Sequence, residues 1–251
     1  MILIEDVSYQ IAGKTILKPT TLQLPRGGMT ALIGPNGAGK STLLNVIARI
    51  LPLQTGRVCF DSCDIAHTES HQLAQKVALL QQQVHFMSRL TVEDLLTFAR
   101  YPYHRGRVRS EDRAKVSEML SYFDLQDFRH RYLDELSGGQ RQRALVAMTF
   151  TQDTDYILLD EPLNNLDIHH AKALMLNLKN AVLEWGKTIV VVLHDINYAA
   201  HYADHIVAMQ QGEVLHYGIT EDIINQEILS ALYHLDIELL PYRDKKLCVY
   251  F

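Results

Sequence analysis

The sequence predicts an α/β protein built on a parallel sheet, with a smaller antiparallel β layer and an inserted helical region. Three observations lead there. Short runs rich in Val, Ile and Leu alternate with stretches of helical period, the pattern of parallel strands joined by crossover helices. Two of those runs, 156–159 and 188–193, are almost unbroken, as strands covered on both faces must be. Between 89 and 153 the strand-like runs give way to helical patterning alone.

The amino-terminal part, through Tyr9, 14–17 and 58–60, reads as short β segments with Gly at the breaks, hence the antiparallel layer. Residues 30–33 form a strand that runs into Gly34, and 41–51 a helix stopped by Pro52, whose ring cannot continue it. A further strand spans 77–80. Thr91 and Ser110 are expected as N-caps, and Val116, Met119, Leu120 and Phe123 are spaced to share one apolar face. The expected organisation is one domain, 1–251, with a core from 1–87 and 154–251 and a helical subdomain at 88–153. Beyond His205 a hairpin around Gln211-Gly212 and a mixed tail complete the chain, without internal repeat, low-complexity tract or linker.

With 251 residues, 47% of them hydrophobic, the chain can bury a sizeable core. Its net charge of −5, with both signs well mixed, leaves no basic stripe to displace counterions from duplex phosphates, so nucleic acid is not an expected partner. Three cysteines are an odd number, and Cys59 and Cys63 lack a second close pair, so free thiols are expected rather than a disulfide framework or zinc ribbon. His201 and His205 have metal-compatible spacing for a helix, but no glutamate accompanies them as in a zinc protease, so a solvated face is the expectation. No stretch reaches the roughly eighteen apolar residues of a membrane helix, and 1–8 has neither the basic start nor the apolar run of a signal peptide. A cytoplasmic chain is expected.

Gly34-Pro35-Asn36-Gly37-Ala38-Gly39-Lys40-Ser41-Thr42 fits the phosphate-binding loop G-x-x-x-x-G-K-[ST], and it falls between a strand and a helix as that mechanism requires. Glycines let the backbone curl so that successive N–H groups face phosphate oxygens, and the positive end of the following helix favours the same anion. Lys40 is expected on the β and γ phosphates, the Ser41 hydroxyl on Mg²⁺ and Thr42 on phosphate near the helix start. A match of this length arises by accident in roughly one chain in a hundred, so alone it says only that a nucleotide binds.

Asp160 and Glu161 close the 156–159 run, which places both carboxylates at the carboxyl end of a parallel strand, where ligands of such sheets bind. Asp160 suits a water-mediated contact to magnesium, and Glu161 suits orientation or deprotonation of an attacking water. Leu136-Ser137-Gly138-Gly139-Gln140-Arg141-Gln142-Arg143 is a second glycine-bearing helix start, ahead of Ala144, Leu145 and Met148. One nucleotide has little use for two such sites in one chain.

At these residues the sequence resembles the ABC (ATP-binding cassette) ATPases, whose L-S-G-G-Q signature stands between the phosphate loop and the acidic strand, in the order found here over essentially the whole chain. The resemblance implies a P-loop cassette with a RecA-like core. It implies that ATP with Mg²⁺ is bound between two copies of the chain, with Ser137, Gly138, Gly139 and Gln140 of one copy closing on the γ-phosphate held by the other. It implies further roles: Tyr9 stacking on adenine, although an isolated tyrosine after a strand also suits ordinary packing; Gln82 touching magnesium and water; His194 on the γ-phosphate; and Asp167 in the loop crossing the dimer interface. Gln81 stands where the family usually has proline, so Gln81 and Gln83 are alternatives to Gln82, and Leu163 and Asn164 replace the frequent threonine and serine.

Within the family, the stretches 98–106, 161–167 and 194–200 look like importers of iron-siderophore complexes, with cobalamin and haem importers as near relatives. That likeness implies transmembrane permease subunits as partners, a substrate-binding protein acting indirectly, and a peripheral place on the cytoplasmic face of the membrane. A non-transport cassette usually carries two cassettes or a long coiled-coil insertion, and neither is present in the sequence. A pure nucleotide-binding regulator would have no need of Glu161 and His194.

Overall fold

The computed structural model describes residues 1–82 and 88–250, in two compact units, 1–68 with 188 onward and 69–187. In the antiparallel sheet of the first unit the strands lie in the order 14–24, 2–11, 57–60, 63–64. Ile2–Ile11 turns into Lys14–Leu24 through Ala12 at φ 49° and Gly13 at φ 76°, a left-handed pair that suits the strand twist. These strands have 10 and 11 residues and replace the expected short segments. Register shifts between Ile4 and Val7 and between Val7 and Tyr9, with Asp6 at φ 49°, interrupt the period-2 alternation, so one long strand reads as several short ones.

In the same unit Gly28–Ile33 lies parallel to Thr188–Val192 on one side and His205–Gln210 on the other, and Glu213–Ile219 adds an antiparallel edge across the expected Gln211-Gly212 turn. Every residue of Thr188–Val192 is buried, as its unbroken apolar character requires. The helix after the phosphate loop spans Lys40–Ile47, shorter than expected: Arg49 takes a left-handed φ of 57° and the Leu51 N–H turns back to the Asn45 carbonyl at 3.1 Å, so the chain leaves the helix before Pro52. His201 lies on helix Ile196–Tyr202 whereas His205 opens a strand, so the two do not share a helix face. Cys59 and Cys248 are buried and Cys63 half-buried, all with free thiols.

The second unit pairs Val77–Leu80 in parallel with the wholly buried Tyr156–Asp160. It packs helices Val92–Ala99, Ser110–Tyr122, Gly138–Thr151 and Ile168–Trp185. Thr91 caps its helix as expected, its hydroxyl accepting the Asp94 N–H at 3.1 Å while the Asp94 carboxylate accepts the Thr91 N–H at 3.1 Å. Ser110 is not the cap of the next helix. Arg109 holds that position because the Asp112 carboxylate takes its N–H at 3.0 Å, which makes Ser110 the first helical residue. Val116, Met119, Leu120 and Phe123 are at most 2% exposed, one continuous apolar face. The unit contains the whole 88–153 stretch, and also takes in the strand pair and the long helix Ile168–Trp185.

Candidate nucleotide site

In the first unit the strand Gly28–Ile33 delivers the chain into the loop 34–39 at φ 140° on Gly34. A Cβ on Gly34 would stand 2.0 Å from the carbonyl oxygen of Met209, so only glycine fits. Gly39, at φ 97°, packs against the Ile16 carbonyl, where a Cβ would sit at 3.1 Å, and opens the helix with its carbonyl accepting the Leu43 N–H at 2.9 Å. Lys40 is 5% exposed and its ammonium donates to the carbonyls of Gly34 at 2.7 Å and Pro35 at 2.9 Å. The loop is thus closed around its own lysine, whose charge is held where an anion would be received. Asn36 and Gly37 are exposed at the crest of the loop, Ala38 is buried, and Ser41 and Thr42 are half-buried in the first helical turn.

The parallel register sets Val192 opposite Leu32, and the Leu193 N–H donates to the Leu32 carbonyl at 3.1 Å, so His194 leaves its strand level with Gly34 and is exposed there. Asp195 follows and caps helix Ile196–Tyr202 by accepting the Asn197 N–H at 2.8 Å. Tyr9 is 7% exposed on its strand, and Ile11 at the end of the same strand is 54% exposed.

In the second unit Asp160 ends its strand at 2% exposure, and Glu161 follows at φ 52°, a left-handed conformation costly for a side chain with a Cβ. Two amides converge on one oxygen of Glu161: Gln82 Nε2 donates to Oε2 at 2.8 Å and Asn164 Nδ2 donates to it at 2.6 Å. Gln83, the alternative to Gln82, lies outside the described residues. Ser137 caps helix Gly138–Thr151, its hydroxyl accepting the Gln140 N–H at 3.3 Å while the Gln140 side-chain oxygen accepts the Ser137 N–H at 3.0 Å. Ser137 and Gly138 are exposed, leaving the positive helix end open to an anion. A Cβ on Gly138 or Gly139 would meet Asn165 at 3.4 or 3.3 Å, and Gln142 donates to the Pro162 carbonyl at 3.1 Å, so the signature helix and the loop after Glu161 are packed as one piece. Asp167 caps helix Ile168–Trp185, accepting the His170 N–H at 2.8 Å, and that bond with the His170 ring holds its carboxyl below the usual carboxylate range.

Residues 17–164 match the family model described as ABC transporter. The chain belongs to the ABC transporter family. The fold is therefore that of a P-loop cassette, with a RecA-like core, an antiparallel layer and helical insertion, and the chain is an ABC-type ATPase. The cassette is 44% identical to the petrobactin import ATP-binding protein YclP of Bacillus subtilis (strain 168), over all of both chains. It is 43% identical to the petrobactin import ATP-binding protein FatE of Bacillus anthracis, covering 96% of this chain and 98% of that one. Among solved structures it is similar to the dimeric post-hydrolysis state of the ATP-binding cassette MJ0796 bound to ADP and Pi, with a TM-score of 0.78 at 30% identity, covering 88% of this chain and 99% of that one. Among the described residues no helix is long and apolar enough to cross a membrane.

Two contacts at the cassette's site are invisible to motif reading. The Tyr233 hydroxyl accepts the Gly34 N–H at 3.0 Å across 199 positions of sequence, and burial pushes that phenol up to about 12, so it stays neutral. Asn164, in place of the family's frequent serine, reaches Glu161 with its side-chain amide.

Proposed function

We propose that this cassette hydrolyses ATP to power import of iron-siderophore complexes through membrane permease subunits, acting as a dimer of itself at the cytoplasmic face of the membrane. The observation that carries the reading is the pair of glycine-bearing helix starts, one at Gly39-Lys40 and one at Ser137-Gly138, in a chain whose full length is similar to petrobactin import ATP-binding proteins. Petrobactin-type ferric complexes are accordingly the first cargo to try, with a substrate-binding protein delivering them to the permease.

On this reading Lys40 exchanges the carbonyls of Gly34 and Pro35 for the β and γ phosphates. Gly34, Pro35, Asn36, Gly37, Ala38 and Gly39 wrap the triphosphate, and Thr42 bonds it at the helix start. Tyr9 stacks on the adenine ring. Glu161 positions the attacking water and His194 contacts the γ-phosphate. Mg²⁺ would be held by the Ser41 hydroxyl and the Gln82 amide oxygen, with the Asp160 carboxylate reaching it through water. These hard oxygens suit Mg²⁺, and a carboxylate as buried as Asp160 is well placed to serve a cation. When bound, Mg²⁺ neutralises charge on the β and γ phosphate oxygens. Ser137, Gly138, Gly139 and Gln140 cap the γ-phosphate of the partner's nucleotide, with Asp167 crossing the interface. Closure on ATP and reopening after hydrolysis drive the permease.

The test is ferric-petrobactin uptake in cells lacking this protein. Wild type is expected to restore uptake and Glu161→Gln, which binds ATP without turnover, is not. Uptake restored equally by Glu161→Gln would contradict the role of the carboxylate, and restored uptake of cobalamin or haem alone would reassign the cargo.

A further inference from the structure

We propose that Asp167, His169 and His170 form a binding site for a late first-row transition-metal dication, with Zn²⁺ as the representative. Among the described residues, these three side chains each bring a donor atom to within 4.8 Å of the others. Two imidazoles and a carboxylate are the donors that zinc, nickel and copper favour, unlike the oxygens expected for Mg²⁺.

The Asp167 carboxylate and His170 Nδ1 are hydrogen-bonded at 2.8 Å, a contact that a shared metal ion would replace. Metal–ligand bonds of about 2.0–2.1 Å put neighbouring donors of a tetrahedral site about 3.3 Å apart and the centroids of two ligating imidazoles about 5 Å apart. The rings of His169 and His170 have centroids 5.3 Å apart and planes at 90°. His169 is exposed and can rotate about its own side-chain bonds to close the remaining gap. The His170 N–H bond to Asp167 at 2.8 Å orients the carboxylate, as outer-shell donors do at metal sites. Solvent reaches the start of the helix freely, the intervening Ile168 being 85% exposed.

Helix capping explains Asp167, and the ring of His170 supports the cap, but capping has no use for the imidazole of His169. The third donor is what a cation requires and a cap does not. Because Asp167 is also the interface residue in the function proposed above, an occupied site would hold that loop in its resting form and slow turnover. That consequence rests on the dimer reading, whereas the binding site does not.

The experiment uses the full chain without an affinity tag, titrated with Zn²⁺ against a chromophoric chelator in excess Mg²⁺. Wild type is expected to bind one Zn²⁺, with His169→Ala and His170→Ala each weaker by at least about tenfold, or 1.4 kcal/mol. The Co²⁺-loaded wild type is expected to show visible bands of tetrahedral coordination that both variants lose. Without zinc, His169→Ala is expected to hydrolyse ATP as wild type does, and added Zn²⁺ to inhibit wild type but not His169→Ala. Equal zinc affinity in wild type and His169→Ala would overturn the site. Zinc bound at the site without inhibition would overturn its coupling to turnover, and zinc bound by a chain that hydrolyses no ATP would sink the proposed function while leaving the site standing.

Discussion

Asn164→Ala perturbs the proposed water-positioning carboxylate without touching it. Glu161 Oε2 accepts two amides, Asn164 Nδ2 at 2.6 Å and Gln82 Nε2 at 2.8 Å, a pair of donors on one atom that contributes to its direction. A hydrogen bond to a charged group contributes about 1.5–3 kcal/mol. Asn164 is exposed, which places its bond at the lower end. A loss near 1.4 kcal/mol in the transition state lowers kcat about tenfold. The phosphate loop keeps its own hydrogen bonds, so KM for ATP is expected to stay within about twofold, the signature of an interaction spent on turnover rather than binding. Asn164→Asp, which sets a second carboxylate against Oε2, is expected to be more severe. Combined with Gln82→Ala, Asn164→Ala is expected to cost less or more than the product of the single effects, because donors sharing one acceptor are coupled. Steady-state ATP hydrolysis measures all of these. A wild-type kcat in both Asn164→Ala and Asn164→Asp would refute the idea that this amide holds the carboxylate.

The other expectations concern the first unit. Gly34→Ala forces a Cβ to 2.0 Å from the Met209 carbonyl oxygen, so overpacking and backbone strain together cost roughly 2–5 kcal/mol, read as a fall in urea midpoint. Tyr233→Phe leaves the buried Gly34 N–H without its acceptor and is expected to lose about 1–3 kcal/mol of stability and to weaken ATP binding, measured by unfolding and nucleotide titration. Burial pushes the Cys248 thiol up to about 11, so at pH 8 only about a thousandth is thiolate; peptide mass spectrometry is expected to find it alkylated by iodoacetamide after unfolding but not before.

The parts of the cassette legible in sequence are those in which local chemistry and tertiary packing agree. Gly34, Gly39 and Lys40 announce the phosphate loop because its backbone conformations and its charge are both written in residue type. The buried strands at 156–160 and 188–192 announce themselves because both faces are covered. The parts not legible in sequence lie where backbone conformation departs from residue preference. Asp6 and Arg49 adopt left-handed φ values that their side chains do not advertise, so a bulged 10-residue strand reads as fragments and a helix ending at 47 reads as running to 51. The cap at Arg109 is supplied by Asp112 three residues on, whereas residue type alone favours Ser110. Tyr233 carries no such signal, since nothing local ties it to a glycine 199 residues away.

The central claim is that each ATP is enclosed by the phosphate loop of one chain and the Ser137-Gly138 helix start of another, and a mixing experiment tests it directly. Lys40→Ala and Ser137→Arg chains are each expected to be inactive alone. Mixed in equal amounts, they form dimers in which one pocket joins the intact loop of one chain to the intact helix start of the other, and up to roughly a quarter of wild-type ATP turnover is expected to return. A mixture as dead as its components would contradict the shared pocket, as would full activity of Ser137→Arg by itself.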